Sequence, residues 1–256
     1  QNVTSFDSDG FGVKNGGAVN ASGDTYVAWQ WKKQAGIFDI QIYTGNGSNR
    51  TISHNLGAIP QMMIIKKRSP AGGNWQVNTA QLDANQLVEL DETASVATDN
   101  SYFNNTRPTS SVFSLGTDGS QNTNTHTYLA YLFGNKQGVC KVGSYKGNGN
   151  VNGTFVYTGF KPAFVMAKRT DSANGWMMFD NKRSSLTVPG NPHNELLNAN
   201  TNDAEGTTNY IDILSNGWKI RSTDGALNGS GGSYIYICFA ESPFVTGASA
   251  IPTTAR

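Results

Sequence analysis

The chain has 256 residues with 19 Lys+Arg against 18 Asp+Glu, and charged residues make up only 14% of it, well below the roughly 25% of an average soluble domain. A formal net charge of +1 offers no electrostatic reason to expect nucleic acid as a partner, and no apolar run or basic-plus-apolar leader calls for membrane insertion. The 29 Gly, set among abundant Asn, Ser and Thr, place solubility on a neutral polar surface and point to an extracellular setting.

In chain order, the first feature is Phe6-Asp-Ser-Asp-Gly-Phe11. Asp7 and Asp9 read as an Asx-stabilised turn, because the later positions of a calcium loop are filled by Phe11, Val13 and Gly16. Short apolar segments bounded by Gly, Asn, Asp or Pro follow: Tyr26–Trp31, Phe38–Tyr43, Met62–Ile65, Trp75–Val77, Tyr128–Phe133, Thr154–Tyr157, Ala163–Met166, Trp176–Phe179, Trp218–Ile220 and Tyr234–Phe239. Their length and punctuation predict strands. The best helix signals, Asp83–Glu92 and Pro192–Leu197, support no more than a turn each. The fold class is therefore all-β, built of antiparallel β-sandwich units of jelly-roll or lectin-like type.

The chain also repeats itself. Tyr43, Gly45, Asn46, Gly47, Gly57, Pro60 and Lys66 recur as Tyr145, Gly147, Asn148, Gly149, Gly159, Pro162 and Lys168, all displaced by 102 residues. Trp75 corresponds to Trp176, and Thr127–Phe133 to Ser233–Phe239. Within residues 1–31, Phe6–Phe11 matches Ile213–Trp218 and Thr25–Trp29 matches the closing strand. The expected organisation is residues 1–35 as the back part of a preceding unit or an N-terminal strand extension, 36–137 and 138–245 as two sandwich repeats, and 246–256 as a tail. Beginning at Gln1 and inside a repeat, the chain reads as a processed or partially ordered part of a longer array.

Single residues fit this scheme. Pro60 and Pro162 stand at the mouths of apolar strands, where a missing N–H costs no ladder bond. Gly45 and Gly47, like Gly147 and Gly149, are read as turn residues with access to positive φ. Met62–Ile65 is apolar throughout and should be covered on both faces. Trp29, Trp75, Trp176, Phe133, Phe239, Ile64 and Met166 are the expected core, with Trp31 and Trp218 less clearly assigned, and Trp75→Ala is expected to cost roughly 3–5 kcal/mol.

Tyr43-Thr-Gly-Asn-Gly47, Thr51-Ile-Ser-His-Asn-Leu-Gly57 leading to Pro60, a strand ending at Arg68, a Trp strand, and closing segments such as Ser233–Glu241 together resemble a domain of unknown function. That domain recurs, often in tandem, in tail-fibre and other virion proteins of marine phages. The resemblance covers residues 36–241 as two copies and 1–31 as a partial one. It implies a non-enzymatic virion structural protein, in a tail fibre or other projecting host-adsorption component. The partners so implied are copies of itself, as a trimer in a fibre, other virion proteins and host surface glycans. A secreted carbohydrate-binding or adhesive protein of cellular origin, and a capsid decoration or fibre-shaft scaffold, are the alternatives.

Chemistry-bearing constellations are sparse. No metal-ligand spacing links His54, His126 and His193, and no cofactor motif is found. His54 is open to three roles: a bond to loop backbone, a glycan contact or a metal ligand. The carboxylates that a glycosidase would require, Glu89, Asp91 and Glu92 in one copy and Asp203, Glu205 and Asp212 in the other, share no register. No catalytic residue is assigned. The copies differ most at Pro70–Pro108 and Ser184–Thr208; there Asn104, Asn105, Arg107, Asn191, His193 and Asn194 are the candidate contacts to glycan or subunit. Cys140 and Cys238 are either a disulfide between first and last strands or two buried thiols.

Overall fold

A computed structural model of the chain describes residues 2–183 and 192–241, for residues 192–194 the backbone alone. It divides into two compact units, residues 1–32 and the chain from Lys33 onward. The segments Asp83–Glu92 and Pro192–Leu197, where at most a turn of helix was expected, contain strands instead, at Gln86–Glu89 and Pro192–Asn198. Those segments lie beside strands already formed, and the ladder satisfies backbone groups that a one-turn helix leaves open.

In the first unit β1 (Val3–Phe6) and β2 (Phe11–Val13) form a hairpin, with Phe6 opposite Phe11. The Tyr26 hydroxyl accepts from Ala21 N at 2.9 Å and donates to Gly17 O at 3.2 Å. Tyr26–Trp31, expected as a strand, is not one. Its counterparts in the second unit are central, flanked on both sides, whereas no such ladder partner is present within residues 2–32. Trp29 is accordingly half-buried rather than core, and Trp31 is 38% exposed.

The second unit runs β3 (Phe38–Thr44), β4 (Arg50–Ser53), β5 (Met62–Ser69), β6 (Gln76–Thr79), β7 (Gln86–Glu89), β8 (Ala97–Thr98), β9 (Val112–Leu115), α1 (Gly119–Asn122) and β10 (Thr127–Phe133). It continues with β11 (Cys140–Lys146), β12 (Phe155–Tyr157), β13 (Pro162–Arg169), β14 (Trp176–Asp180), β15 (Pro192–Asn198), β16 (Gly206–Leu214), β17 (Gly217–Ile220), α2 (Gly225–Asn228) and β18 (Ser233–Ala240). In the first sandwich one sheet has the order β3-β10-β5-β6-β7-β8 and faces the β4-β9 pair. In the second, β11-β18-β13-β14 continues through β15 and β16 to β17 and β12.

Each core lies between its two layers. Met63, Ile65, Tyr128, Ala130 and Leu132 from one sheet meet Ile52, Phe113 and Leu115 from the other. Val165, Ala167, Phe179, Tyr236 and Cys238 meet Val156, Ile211, Trp218 and Ile220. Met62–Ile65 is buried throughout, as an all-apolar central strand requires. Trp176 and Trp218 are fully buried, and Phe133, Ile64 and Met166 are buried; Phe239 is half-buried. Trp75 departs from expectation. It is half-buried, its ring stacked 6.2 Å from Tyr131 and 5.6 Å from the Lys66 ammonium, so the expected cost of removing it falls to about half the range for a fully buried ring.

The paired glycines are needed for two different reasons. Gly47 and Gly149 have φ of 71° and 66°, the left-handed region. Gly45 and Gly147 do not; a Cβ there would lie 2.3 Å from Thr123 O and 2.3 Å from Gly229 O. Gly147→Ala is therefore expected to cost about 1–3 kcal/mol through overpacking, read as a lower urea midpoint, with Gly159→Ala (φ of 85°) as a strain-only comparison.

Candidate functional site

The opening loop of each sandwich is tied to its closing turn by one buried Asn. Asp118 Oδ1 accepts from Ser120 N and Asp224 Oδ1 from Ala226 N, which winds the short turns α1 and α2 and brings Asn122 and Asn228 inward to zero exposure. Asn228 Nδ2 reaches Asn148 Oδ1 at 3.0 Å, Asn150 O at 2.8 Å and Ser222 O at 2.8 Å, while its Oδ1 accepts from Asn148 N at 2.9 Å. Asn122 does likewise with Ser48 O, Gly116 O and Asn46 N. Tyr43 and Tyr145 complete each tie, donating to Gln121 O and Leu227 O and stacking on Tyr128 and Tyr234. Sequence reasoning missed both Asn residues. The spacing Asp-Gly-x-x-Asn followed six residues later by Tyr, at 118–128 and 224–234, is the signal that marks them.

A second arrangement joins the sandwiches. The β7–β8 connection of the first lies on the ledge where β13 of the second ends and β14 begins. Glu89 O accepts from Trp176 Nε1 at 2.7 Å, and Thr93 O accepts from Lys168 Nζ at 3.1 Å and from Asn174 N at 2.8 Å. Val96 N donates to Thr170 O at 2.9 Å, and Phe133 meets Phe239 edge to face at 5.9 Å. Lys168 also donates to Asn174 O at 2.7 Å. Its ammonium is wholly covered, and burial pulls its pKa down to about 8.

At the opening of the first sandwich, Asp39 is buried and receives Lys33 Nζ at 2.6 Å, Gln41 Nε2 at 2.7 Å and Asn55 N at 2.8 Å. Burial alone pushes this carboxyl up, but Lys33, Gln41 and the Asn55 and Ile40 N–H groups together hold it below its ordinary value. A carboxylate so held stabilises the fold at every pH above its unfolded value of about 3.9 and loses that contribution as pH falls through the folded value. Asp39→Asn is expected to flatten the stability profile below about pH 4, measured by urea midpoints across the acid range.

Among the expected contact residues, Asn104 and Asn105 are exposed in a 3₁₀ turn anchored by buried Phe103, with φ of 51° and 44°. Asn49 Nδ2 donates to Asn104 Oδ1 at 2.7 Å. Arg107 donates to Thr79 O at 3.2 Å and to Leu82 O, so it ties this loop to β6. Asn191 lies outside the described residues, as do the side chains of His193 and Asn194, whose backbone belongs to β15. His54 is buried against backbone: Nε2 pairs with Thr109 O at 3.1 Å and Nδ1 accepts from Leu56 N at 3.3 Å.

Asp91 is occupied by Trp75 N, Glu205 by Arg183 and Asp212 by Arg221. Among the described residues no group of three or more His, Cys, Asp or Glu is placed to hold a metal. The candidate disulfide is corrected. Cys140 pairs with Phe239 and Lys141 with Cys238, so the two thiols sit one register apart on opposite faces. Both are free and buried, and burial raises both pKa values.

No curated protein and no solved structure matches the chain. The family model described as Domain of unknown function (DUF7483) matches residues 1–243, and the chain belongs to that family.

Proposed function

We propose that the chain is a non-enzymatic structural protein of a phage virion, built of tandem sandwich units and acting by display and assembly in a tail fibre or other projecting host-adsorption component. The observation that carries this reading is the junction between the sandwiches. Side-chain donors of Lys168 and Trp176 grip backbone carbonyls of the preceding sandwich, and hydrogen bonds of this kind set a fixed angle between units, as a projection requires. The neutral polar surface suits an extracellular particle, and the sequence resemblance supplies the setting. Recognition of host glycans falls to the exposed Asn104–Asn105 loop, where a rigid tie through Phe103 and Arg107 holds two amides out to solvent.

Imaging of intact particles decides between the readings. Density for the chain at the end of a tail appendage is the expected result. A helical or capsid-bound lattice would move the role to shaft or decoration. A free monomer that turns over glycosides would defeat the proposal, and one that binds saccharide without turnover would favour the secreted adhesive.

A further inference from the structure

The ledge that receives a neighbour in the second sandwich exists a second time, in the first. Lys66 Nζ donates to Gly73 O as Lys168 Nζ does to Asn174 O, and Trp75 stands where Trp176 stands, each with its backbone N bonded to a side-chain oxygen two residues beyond the end of the adjoining strand. Those oxygens are Asp91 Oδ1 and Asn200 Oδ1, both at 2.8 Å. The difference is cover. Lys168 and Trp176 have zero exposure, while Lys66 and Trp75 are only half-buried.

The complementary part is duplicated too. Glu89 lies opposite Gln76 and Asn198 opposite Met177, which makes Asn198 the counterpart of Glu89 and, counting on along the loop, Asn202 that of Thr93. Residues 201–205 are exposed. The chain thus carries an occupied ledge-and-loop pair at its internal junction, an open ledge on the first sandwich and a matching open loop on the second.

We infer that the Lys66–Trp75 ledge receives the 198–205 loop of a second copy of this chain, head to tail. Trp75 Nε1 would donate to Asn198 O, and Lys66 Nζ to Asn202 O, as their counterparts do within the chain. The recognition atoms on the loop are backbone carbonyls, so the differing side chains of the 89–96 and 198–205 loops do not prevent the same contact. Such an interface is heterologous: it closes into a ring if the rotation between copies permits, and otherwise runs on as a filament. The inference deepens the assembly role proposed above and rests on it for its biological meaning.

Sedimentation velocity on the whole chain over a range of concentrations tests it. The wild type should show concentration-dependent association, weakened at least about ten-fold by Trp75→Phe combined with Lys66→Met, and equally by deleting Thr201–Ala204, which removes the Asn202 carbonyl. Circular dichroism melts verify that each variant is folded. Mixing the ledge variant with the loop variant leaves one intact ledge facing one intact loop, and should restore dimers and nothing larger. A wild type monomeric at every concentration, association that ignores both variants, or a mixture that forms no dimer would overturn the inference. Particle imaging reads the assembly role separately, so a virion protein that is monomeric in solution would sink the docking alone.

Discussion

Trp176→Ala is expected to destabilise the protein by about 3–5 kcal/mol, the range for deleting a fully buried large aromatic. The ring has zero exposure, and its indole N–H is the donor to Glu89 O across the junction, so truncation opens a cavity and leaves a carbonyl without its partner. Trp75→Ala, at the matching position, should cost about half as much, because that ring is half-buried. Urea unfolding of the two variants gives the comparison directly. Amide exchange adds a local readout, since Val96 N and Asn174 N, bonded to Thr170 O and Thr93 O across the junction, should lose protection in Trp176→Ala and keep it in Trp75→Ala. Equal destabilisation by the two substitutions would mean that the junction adds nothing to ordinary core packing.

Asn228→Ala should cost about 3 kcal/mol or more. The side chain is fully buried and serves three oxygens and one N–H, and each polar group left buried without a partner costs about 1–3 kcal/mol. Asn228→Asp is expected to fare no better, because a carboxylate cannot donate to Asn150 O or Ser222 O and would be a buried charge. Asn122→Ala should act in the same direction in the first sandwich, where the amide serves Ser48 O and Gly116 O. Denaturant midpoints report the stability. If Asn228→Ala unfolds at the wild-type midpoint, the opening loop is held by other groups.

Strand content and the doubling of the pattern were legible in the sequence because both are local or periodic properties. Short apolar runs between Gly, Asn and Pro leave few alternatives to strands, and the identities between Tyr43–Lys66 and Tyr145–Lys168 are visible without coordinates. Local pattern was misleading where a neighbour decides the outcome. Tyr26–Trp31 has strand composition but lacks the flanking strands that its counterparts have, and Gln86–Glu89 is a strand because β6 lies alongside. Composition also left the cysteines open; a register of one residue settled them as separate thiols.

The sequence by itself determined an all-β chain with a repeated Tyr-x-Gly-Asn-Gly frame, and it indicated which segments vary between copies. Only the tertiary structure decided what those frames are for. The Gly positions admit a backbone carbonyl, and Asn122 and Asn228 close the loops around it. Trp176, which sequence could place only in a core, and Lys168, which it marked only as a repeated position, reach out to the preceding sandwich. The physical reason is that a buried amide or ammonium is stable only beside particular oxygens. Those oxygens belong to backbone far away in sequence, so the residue type alone does not name them.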